Sequence, residues 1–377
     1  MIRWKTTALA AAAATMVLSV QAGEISLYGS VSSGILYKNT PSLKGGAEET
    51  VRNKSSVSME SGFWGDSIWG ITGEEKLGNG WTVGFTLENE FASDTGRFAD
   101  EGKIFDSQAY VSIGNEAVLF AFGNIGSLTG AGGDFDLLCG FDPMESFVGV
   151  AGLGAFASKD FASANMLVVE SMPIQGLKIS AMGSFGDDQQ DSEKARWSDR
   201  NHYYGLGVSY ENGLLSLAVA AEMRRYDKQA GWVKNDAAWT WTVAAAYDFG
   251  VLRPSFAYQH ADKTREFGSE SLEGVYNFDS FMFGVSSEIG QGTLRASLQY
   301  VKGKNEEASS EEGNATILGL AYTYDLSKRT QLYCAGYYAV GGDGLDKDLG
   351  GDDVSFKAMS RGDYNGTGLG FGLVHAF

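Results

Sequence analysis

Residues 67–91 read SIWGITGEEKLGNGWTVGFTLENEF and contain the pattern that decides the fold. From Trp81 to Glu88 the odd positions hold large apolar side chains, whereas the even positions hold small or polar ones. Alternation with a period of two is typical of a β-strand that has two different faces. Residues 76–80, KLGNG, are of turn-forming types, so the stretch predicts two antiparallel strands joined by a tight turn.

The same alternation recurs in both directions along the chain and predicts sixteen strands. An even number of strands suits a closed antiparallel barrel, because the first and last strands can then pair. The predicted strands span residues 25–37, 67–75, 81–91, 104–114, 118–124, 162–171, 176–185, 202–210, 214–226, 238–249, 252–261, 276–289, 293–302, 315–326, 330–340 and 366–377.

The connections between these strands alternate strictly in length. Short turns are predicted at residues 76–80, 115–116, 173–175, 211–213, 250–251, 290–292 and 327–329. Long polar connections are predicted at residues 38–66, 92–103, 125–161, 186–201, 227–237, 262–275, 303–314 and 341–365. A barrel with short turns at one rim and long loops at the other has this arrangement, and a soluble β-sandwich has no reason to keep it. We therefore predict an all-β fold: a transmembrane antiparallel 16-stranded β-barrel with an apolar outer face and a wet lumen.

Residues 1–22 are predicted to be a signal peptide that does not belong to the fold. Arg3 and Lys5 precede an apolar run from Ala8 to Leu18, and small residues follow it. This run is too short to cross a bilayer as a helix. The rest of the chain, residues 23–377, has few prolines and no linker-like segment, which favours one barrel domain.

Charge and composition exclude several classes of function. The net charge of −18 argues against nucleic acid as a partner, because phosphates are bound by Lys and Arg. The two cysteines, Cys139 and Cys334, do not make a disulfide framework. They could pair across the fold, or each could stay an isolated thiol. The three histidines are widely separated in sequence, so their spacing does not predict a zinc site.

Residues 125–161 interrupt the strand pattern and are called here the glycine-rich loop. Their sequence is IGSLTGAGGDFDLLCGFDPMESFVGVAGLGAFASKDF. A connection of this length inside a compact sheet protein is usually either functional or disordered. Its many apolar residues argue against disorder, so we expect it to pack inside the barrel and to narrow a water-filled pore.

Five segments resemble the general diffusion porins of Gram-negative outer membranes. They are GEISLYG at the start, the hairpin of residues 67–91, FDSQAYVSIGN with FGNIGSLTGAGG, LGLAYTYDLSKRTQLYCAGYYAV, and the closing GLGFGLVHAF. The resemblance implies a trimeric barrel in the outer membrane whose third external loop folds inward. It also implies passive diffusion of small hydrophilic solutes and ions. It further implies that the terminal Phe377 is read by the outer-membrane assembly machinery.

The chain departs from that family at the pore lining. Where the family carries basic side chains on the second, fourth and fifth strands, this sequence has Ile68, Thr72, Ser107 and Asn124. The acidic half of the constriction is expected to be retained. We expect the pore constriction to be lined by Asp134, Asp136, Asp142, Glu145 and Glu88, with Lys159 and Arg295 as counter-charges. Arg224 and Arg253 are further candidate counter-charges, and Arg253 is expected at the rim of short turns.

A constriction rich in carboxylates predicts weak cation selectivity, since low-dielectric walls amplify the negative potential. Two other readings stay open: a substrate-selective channel for sugars or dicarboxylates, and a surface adhesin or structural protein that acts through its loops. No catalytic triad or paired acid–base site is predicted, because the loop carboxylates are explained by a pore. The chain is therefore not expected to be an enzyme.

The external loops are acidic and give the only expectation of a metal ligand. Residues 303–314 and 341–365 carry many Asp and Glu side chains. These side chains can be explained as a solvated surface. The more specific hypothesis is that they bind Ca²⁺ that bridges the loops or lipopolysaccharide. Apart from this possible Ca²⁺, no cofactor is expected. The expected partners are outer-membrane lipid, lipopolysaccharide, two further copies of the chain in a homotrimer, and small solutes.

Overall fold

A computed structural model gives the fold. It describes residues 18–20, 23–40, 54–100, 102–130, 132–154, 156, 162–186, 201–225, 237–267, 270–306, 312–341 and 366–377. Across these residues, no helix has both the length and the apolar character that a membrane span requires. Two short 3-10 turns lie within the glycine-rich loop, at Cys139–Phe141 and Phe147–Gly149.

Nineteen strands of the described chain form the sheet. They are β1 Leu18–Val20, β2 Gly23–Thr40, β3 Lys54–Ser61, β4 Ile68–Gly78, β5 Trp81–Ala92, β6 Arg97–Phe98, β7 Gln108–Gly114, β8 Val118–Gly126, β9 Ala162–Ser171, β10 Leu177–Ser184, β11 His202–Glu211, β12 Leu215–Arg225, β13 Ala237–Tyr247, β14 Arg253–Phe267, β15 Glu270–Ile289, β16 Gly292–Asn305, β17 Glu312–Ser327, β18 Thr330–Gly341 and β19 Gly366–Ala376.

The sheet closes into a 16-stranded antiparallel barrel, as the sequence predicts. Each strand from β7 to β19 pairs with the next, and β19 pairs with β2 from Thr367↔Asn39 to Ala376↔Ser30. The terminal Phe377 completes the seam, because its N–H donates to the carbonyl oxygen of Gly29 at 2.9 Å. The short β1 pairs with the start of β2, and the predicted signal peptide at residues 1–22 stays a prediction.

The second strand of the barrel is broken, which the sequence did not predict. Residues 38–66 were expected to form one external loop, yet β3 pairs with the second half of β2, from Thr40↔Lys54 to Ser33↔Ser61. β4 then continues along the first half of β2, from Ser30↔Ile68 to Glu24↔Glu74. The two strands together occupy one barrel position. Residues 62–67, called here the insertion, leave the sheet between them.

The two faces of the wall differ as the alternation predicts. On β13, Trp239, Trp241 and Val243 point outward and are exposed, whereas Thr240 and Thr242 are buried on the inner side. Most of the large apolar side chains that are exposed belong to this outer face, where lipid would cover them. The inner side of the wall also carries buried apolar side chains, among them Leu36, Met166 and Ile317, which need a packing partner inside the lumen.

The glycine-rich loop packs on the inner wall, as expected for an inward-folded loop. Its apolar side chains form two buried clusters with the inner wall. One includes Leu128, Leu137, Phe141, Leu153 and Phe156 of the loop with residues of β8 to β15. The other includes Met144, Phe147, Val150 and Ala151 with residues of β2 and of β14 to β19.

The wall offers the loop a track of glycines and alanines, which have little or no side chain. A Cβ atom added at Gly284 would lie 2.6 Å from Cγ of Pro143, and one added at Gly319 would lie 3.0 Å from Cε of Met144. A Cβ atom at Gly207 would lie 2.3 Å from Cδ1 of Leu137. These distances are shorter than van der Waals contact, so at these positions the loop lies close to the wall because the wall residue has no side chain.

Candidate functional site

Residues 142–153 are called here the tip of the glycine-rich loop. The tip is built around one carboxylate, Asp142. Its Oδ2 atom accepts hydrogen bonds from the backbone N–H groups of Ser146 at 2.8 Å and Leu153 at 3.1 Å, and its Oδ1 accepts from Met144 at 2.8 Å. Glu145, Ser146 and Val148 have positive φ angles of 51°, 49° and 57°. Such angles are uncommon for residues with a side chain and are held here by the surrounding contacts.

The first part of the loop is fixed to β11 and β12. The backbone N–H of Leu128 donates to the Tyr203 hydroxyl at 3.0 Å, and that hydroxyl donates to Oε1 of Glu222 at 2.7 Å. The hydroxyl of Thr129 donates to Oε2 of the same carboxylate. Arg224, a candidate counter-charge, lies over the Tyr203 ring with Cζ 5.7 Å from the centroid. Arg224 therefore belongs to this buried anchor.

Two arginines hold the middle and the tip of the loop. Arg253 donates through Nη1 to the carbonyl oxygen of Gly140 at 2.7 Å. Arg253 begins β14 directly after a short turn, as the sequence predicts, and from there its guanidinium reaches the loop. Arg295 lies on the inner wall, as predicted, with Nη1 3.4 Å from both the Pro143 carbonyl oxygen and Oε1 of Glu145. Both cations therefore bind loop acceptors.

Glu88 and Asp134 lie on the inner side, and each is hydrogen-bonded to a tyrosine. Glu88 is buried and accepts hydrogen bonds from the Tyr28 hydroxyl at 2.8 Å and from the hydroxyl of Ser107. Asp134 is exposed and accepts from the Tyr110 hydroxyl. The lumen-facing position predicted for Glu88 is thus observed, while its role in ion passage stays a prediction.

An acidic cavity of about 600 Å³ opens between the glycine-rich loop, the insertion and residues 99–107. The structure brings three of the predicted constriction residues to its lining, namely Asp136, Asp142 and Glu145. Glu88, Asp134 and Arg295 do not line it. Lys159 lies outside the described residues, so the counter-charge predicted there stays a prediction.

Sequence reasoning missed part of this lining. The cavity is also bounded by carboxylates from the insertion, from the end of β5 and from the segment before β7, with one lysine among them: Asp66, Glu90, Asp100, Asp106 and Lys103. Glu90 could have been found, because it has the same strand parity as Glu88. The other residues belong to irregular segments, where no periodic pattern shows which way a side chain points.

Burial changes the acid–base properties of the loop. The Asp136 carboxyl is enclosed by protein although part of its surface reaches the cavity, and this desolvation raises its pKa to about 7. The hydrogen bond from the Leu138 N–H, at 2.9 Å, opposes the rise without cancelling it. Desolvation and the nearby carboxylate of Asp136 also raise the pKa of the Cys139 thiol above its usual value.

The two cysteines are both free thiols. Cys139 lies in the loop at the cavity, whereas Cys334 lies on the outer face of β18. The Ca²⁺ prediction concerns residues that are largely outside the described part of the chain. Within the described residues, no group of three or more His, Cys, Asp or Glu side chains could hold a metal ion. The Ca²⁺ site therefore stays a prediction.

Comparison with known proteins places the fold among channels. A family model described as Gram-negative porin matches residues 6–344. An outer membrane porin protein of Bordetella pertussis is 26% identical over 385 residues and covers 94% of either chain. Outer membrane porin protein 32 of Delftia acidovorans is 27% identical over 372 residues, which cover 98% of this chain and 97% of the relative.

A solved structure shows the same architecture. The anion-selective porin from Comamonas acidovorans superposes with a TM-score of 0.70 at 21% sequence identity. The superposition covers 94% of this chain and 100% of that one. At this identity the likeness concerns the fold alone.

Proposed function

Because the chain belongs to the Gram-negative porin family, we propose that it forms a water-filled channel for the passive diffusion of small hydrophilic solutes and ions. It is an outer-membrane porin, and the channel proposal adds the physical mechanism. The barrel supplies the passage, and the glycine-rich loop packed on its inner wall narrows it. On the basis of family membership, we further propose that three copies associate into a homotrimer.

The charge of the cavity lining supports a preference for cations. Seven carboxylates and one lysine line it: Asp66, Glu90, Asp100, Asp106, Asp136, Asp142, Glu145 and Lys103. The nearby Arg253 and Arg295 bring the cations to three, of which Arg295 pairs with Glu145 and Lys103 with Asp100, so carboxylates still predominate. Walls of low dielectric amplify the resulting negative potential, so that cations gain and anions lose energy on entering. This preference is opposite in sign to the one in the name of the Comamonas protein.

Reversal potentials in a planar bilayer under a salt gradient test this proposal. We expect conducting channels with a cation preference, and we expect Asp66→Asn/Glu90→Gln to reduce it, because two charges leave the lining. Glu116→Gln, in an exposed turn at the opposite rim, is the matched control and should leave the preference unchanged. An anion preference in the wild type would refute the selectivity, and the absence of channels would refute the pore.

A substrate-selective channel is a second candidate, favoured by the size of the same cavity. Its volume of about 600 Å³ falls in the range of small-molecule sites in proteins. Binding of a solute there would make uptake saturable, whereas free diffusion remains proportional to concentration. Flux into liposomes measured against sugar concentration separates the two functions, and the acidic lining disfavours dicarboxylates as the solute.

A further inference from the structure

The insertion in the second barrel strand carries two aromatic side chains into the lumen. Gly62 and Gly65 have φ angles of 71° and 72°, which glycine adopts without strain, and they turn the chain out of the sheet and back. Between them, Phe63 and Trp64 are buried, at 6% and 2% exposure. Neither side chain faces lipid, so the excursion serves the interior of the barrel.

The partner of this aromatic pair is the tip of the glycine-rich loop. The Phe147 ring centroid lies 5.9 Å from that of Phe63 and 6.2 Å from that of Trp64. The backbone N–H of Val148 donates to the Phe63 carbonyl oxygen at 3.2 Å. Arg295, which also contacts Glu145, lies over the Trp64 ring with Cζ 5.8 Å from the centroid.

The insertion is itself firmly held. Because the ladder is broken beside Ser32, the backbone N–H of Ser32 donates instead to Oγ of Ser67 at 2.9 Å. The Ser32 hydroxyl donates to the Trp64 carbonyl oxygen at 3.0 Å, and the Ser30 hydroxyl donates to that of Asp66 at 2.7 Å. Side chains of the neighbouring strand thus replace the lost ladder bonds, and the insertion cannot move without breaking them.

The wall beneath the aromatic pair lacks side chains. A Cβ atom added at Gly34 would lie 2.7 Å from Cζ of Phe63, and one at Gly370 would lie 2.6 Å from its Cε2. Tyr333 closes the seat, with its ring 5.9 Å from that of Trp64 in a stacked arrangement. Gly34, Gly370 and Tyr333 together form a depression in the wall that fits the aromatic pair. The depression fixes how far the pair projects into the lumen.

We propose that the insertion is a latch that positions the loop tip, and that Phe63 and Trp64 are the positioning residues of the latch. The inference rests on the proposed pore function and names what sets the position of its narrow part. The loop tip has its own hydrogen bonds around Asp142, but these act within the loop. The latch connects the tip to the wall on the β2 side through Phe63 and Trp64, and Arg295 of β16 packs on the Trp64 ring.

The first experiment records single channels of Trp64→Ala. Without the Trp64 ring, the tip should leave the wall more often. We expect brief excursions of the open-channel current to become about tenfold more frequent, which is the effect of losing one aromatic contact. Trp241→Ala is the matched control, since Trp241 is half exposed on the outer face and contacts no part of the loop. Records of Trp64→Ala as quiet as those of the wild type would overturn the latch.

The second experiment uses one protein in two states. In a Cys139→Ser/Cys334→Ser background, Phe63→Cys/Val148→Cys places thiols on two hydrogen-bonded backbone segments. We expect the oxidised, cross-linked protein to give quiet channels and the dithiothreitol-reduced protein to give noisy ones. Equal noise in the two states, with the cross-link verified by mass spectrometry, would also overturn the latch. If the wild type formed no channel, the pore would fail instead, and cross-link yield would still report the contact between the two segments.

Discussion

Asp136 is the residue whose charge should respond to pH in the physiological range. Its pKa is raised to about 7 mainly by desolvation, so the carboxyl ionises as the pH passes through that value. We expect the cation preference of the wild type to rise about twofold between pH 5 and pH 8, because one negative charge is added to the cavity. Reversal potentials across this range measure it. Asp136→Asn should remove the step near pH 7, and an unchanged step would assign it to another group.

The same pKa has a consequence for stability. The folded loop holds the Asp136 proton more tightly than the unfolded chain does. Protonation of Asp136 therefore stabilises the folded state, and this contribution to the free energy of unfolding is fully present below the ordinary Asp pKa of about 3.9. It is lost as the pH rises through about 7. The loop is therefore expected to pack less firmly in the pH range where the charge that attracts cations is complete.

Cys139 offers a second prediction at this scale. A cationic methanethiosulfonate added in water should modify Cys139 at the cavity and reduce the conductance, whereas Cys334 on the outer face should stay unmodified in a bilayer. The reaction should be slow at neutral pH and faster in alkali, because the thiol pKa is raised. Cys139→Ser should abolish the effect and Cys334→Ser should not. A conductance block that survives Cys139→Ser would contradict the placement.

Sequence reasoning placed single residues best where a strand fixed their direction, although three carboxylates of the loop, Asp136, Asp142 and Glu145, also line the cavity as expected. The alternation from Trp81 to Glu88 correctly put Glu88 on the inner side, and the same argument put Arg295 there. It did not foresee that Arg253 holds the Gly140 carbonyl oxygen, since the path of a loop through space leaves no period in the sequence. Asp66 was missed for the same reason.

At the scale of elements, the fit between the glycine-rich loop and the inner wall is the feature that sequence patterns left hidden. Glycines on the inward positions of β11, β15, β17 and β19 look like ordinary small residues of a wet lumen. The structure shows that they mark where the loop touches the wall. Alternation tells which residues face inward, but it does not tell which of those are covered.

Gly284→Ala tests this fit. The added Cβ would lie 2.6 Å from Cγ of the rigid Pro143 ring, so we expect overpacking to cost about 1–3 kcal/mol and the loop to shift, with a changed single-channel conductance. Thermal unfolding and conductance measure the two effects. Gly183→Ala is the control, because its Cβ would meet Tyr204 at 3.5 Å, an ordinary contact. Wild-type values for both Gly284→Ala and Gly183→Ala would argue against a tightly fitted loop.

For the whole molecule, the field of the acidic lining should depend on salt. The Debye length falls from about 10 Å at 0.1 M to about 3 Å at 1 M, so that carboxylates across the cavity stop reinforcing one another. We expect the ratio of cation to anion permeability to fall towards one over this range. Reversal potentials at equal gradient but different absolute concentration provide the measurement. A ratio independent of salt would indicate selection by direct contact instead of by the field.

The architecture of the whole molecule was the part most accessible from sequence. Strict alternation of short turns and long connections predicted sixteen barrel positions, because closure needs the ends of the chain to meet. The break between β3 and β4 was not predicted, since residues 54–61 have only two apolar side chains, Val57 and Met59, too few to mark a strand by alternation. Their pairing with β2 is a long-range contact, which a local sequence pattern does not predict.

The glycine track on the inner wall makes the loop and the barrel one inseparable part. A chimera that receives residues 125–161 alone would press Pro143 and Met144 against whatever side chains the host carries at the positions of Gly284 and Gly319. A transferred loop keeps its shape only if the wall residues that it contacts, called here its footprint, are transferred with it. Pore engineering in this protein therefore has to treat the footprint, and not the loop, as the unit of exchange.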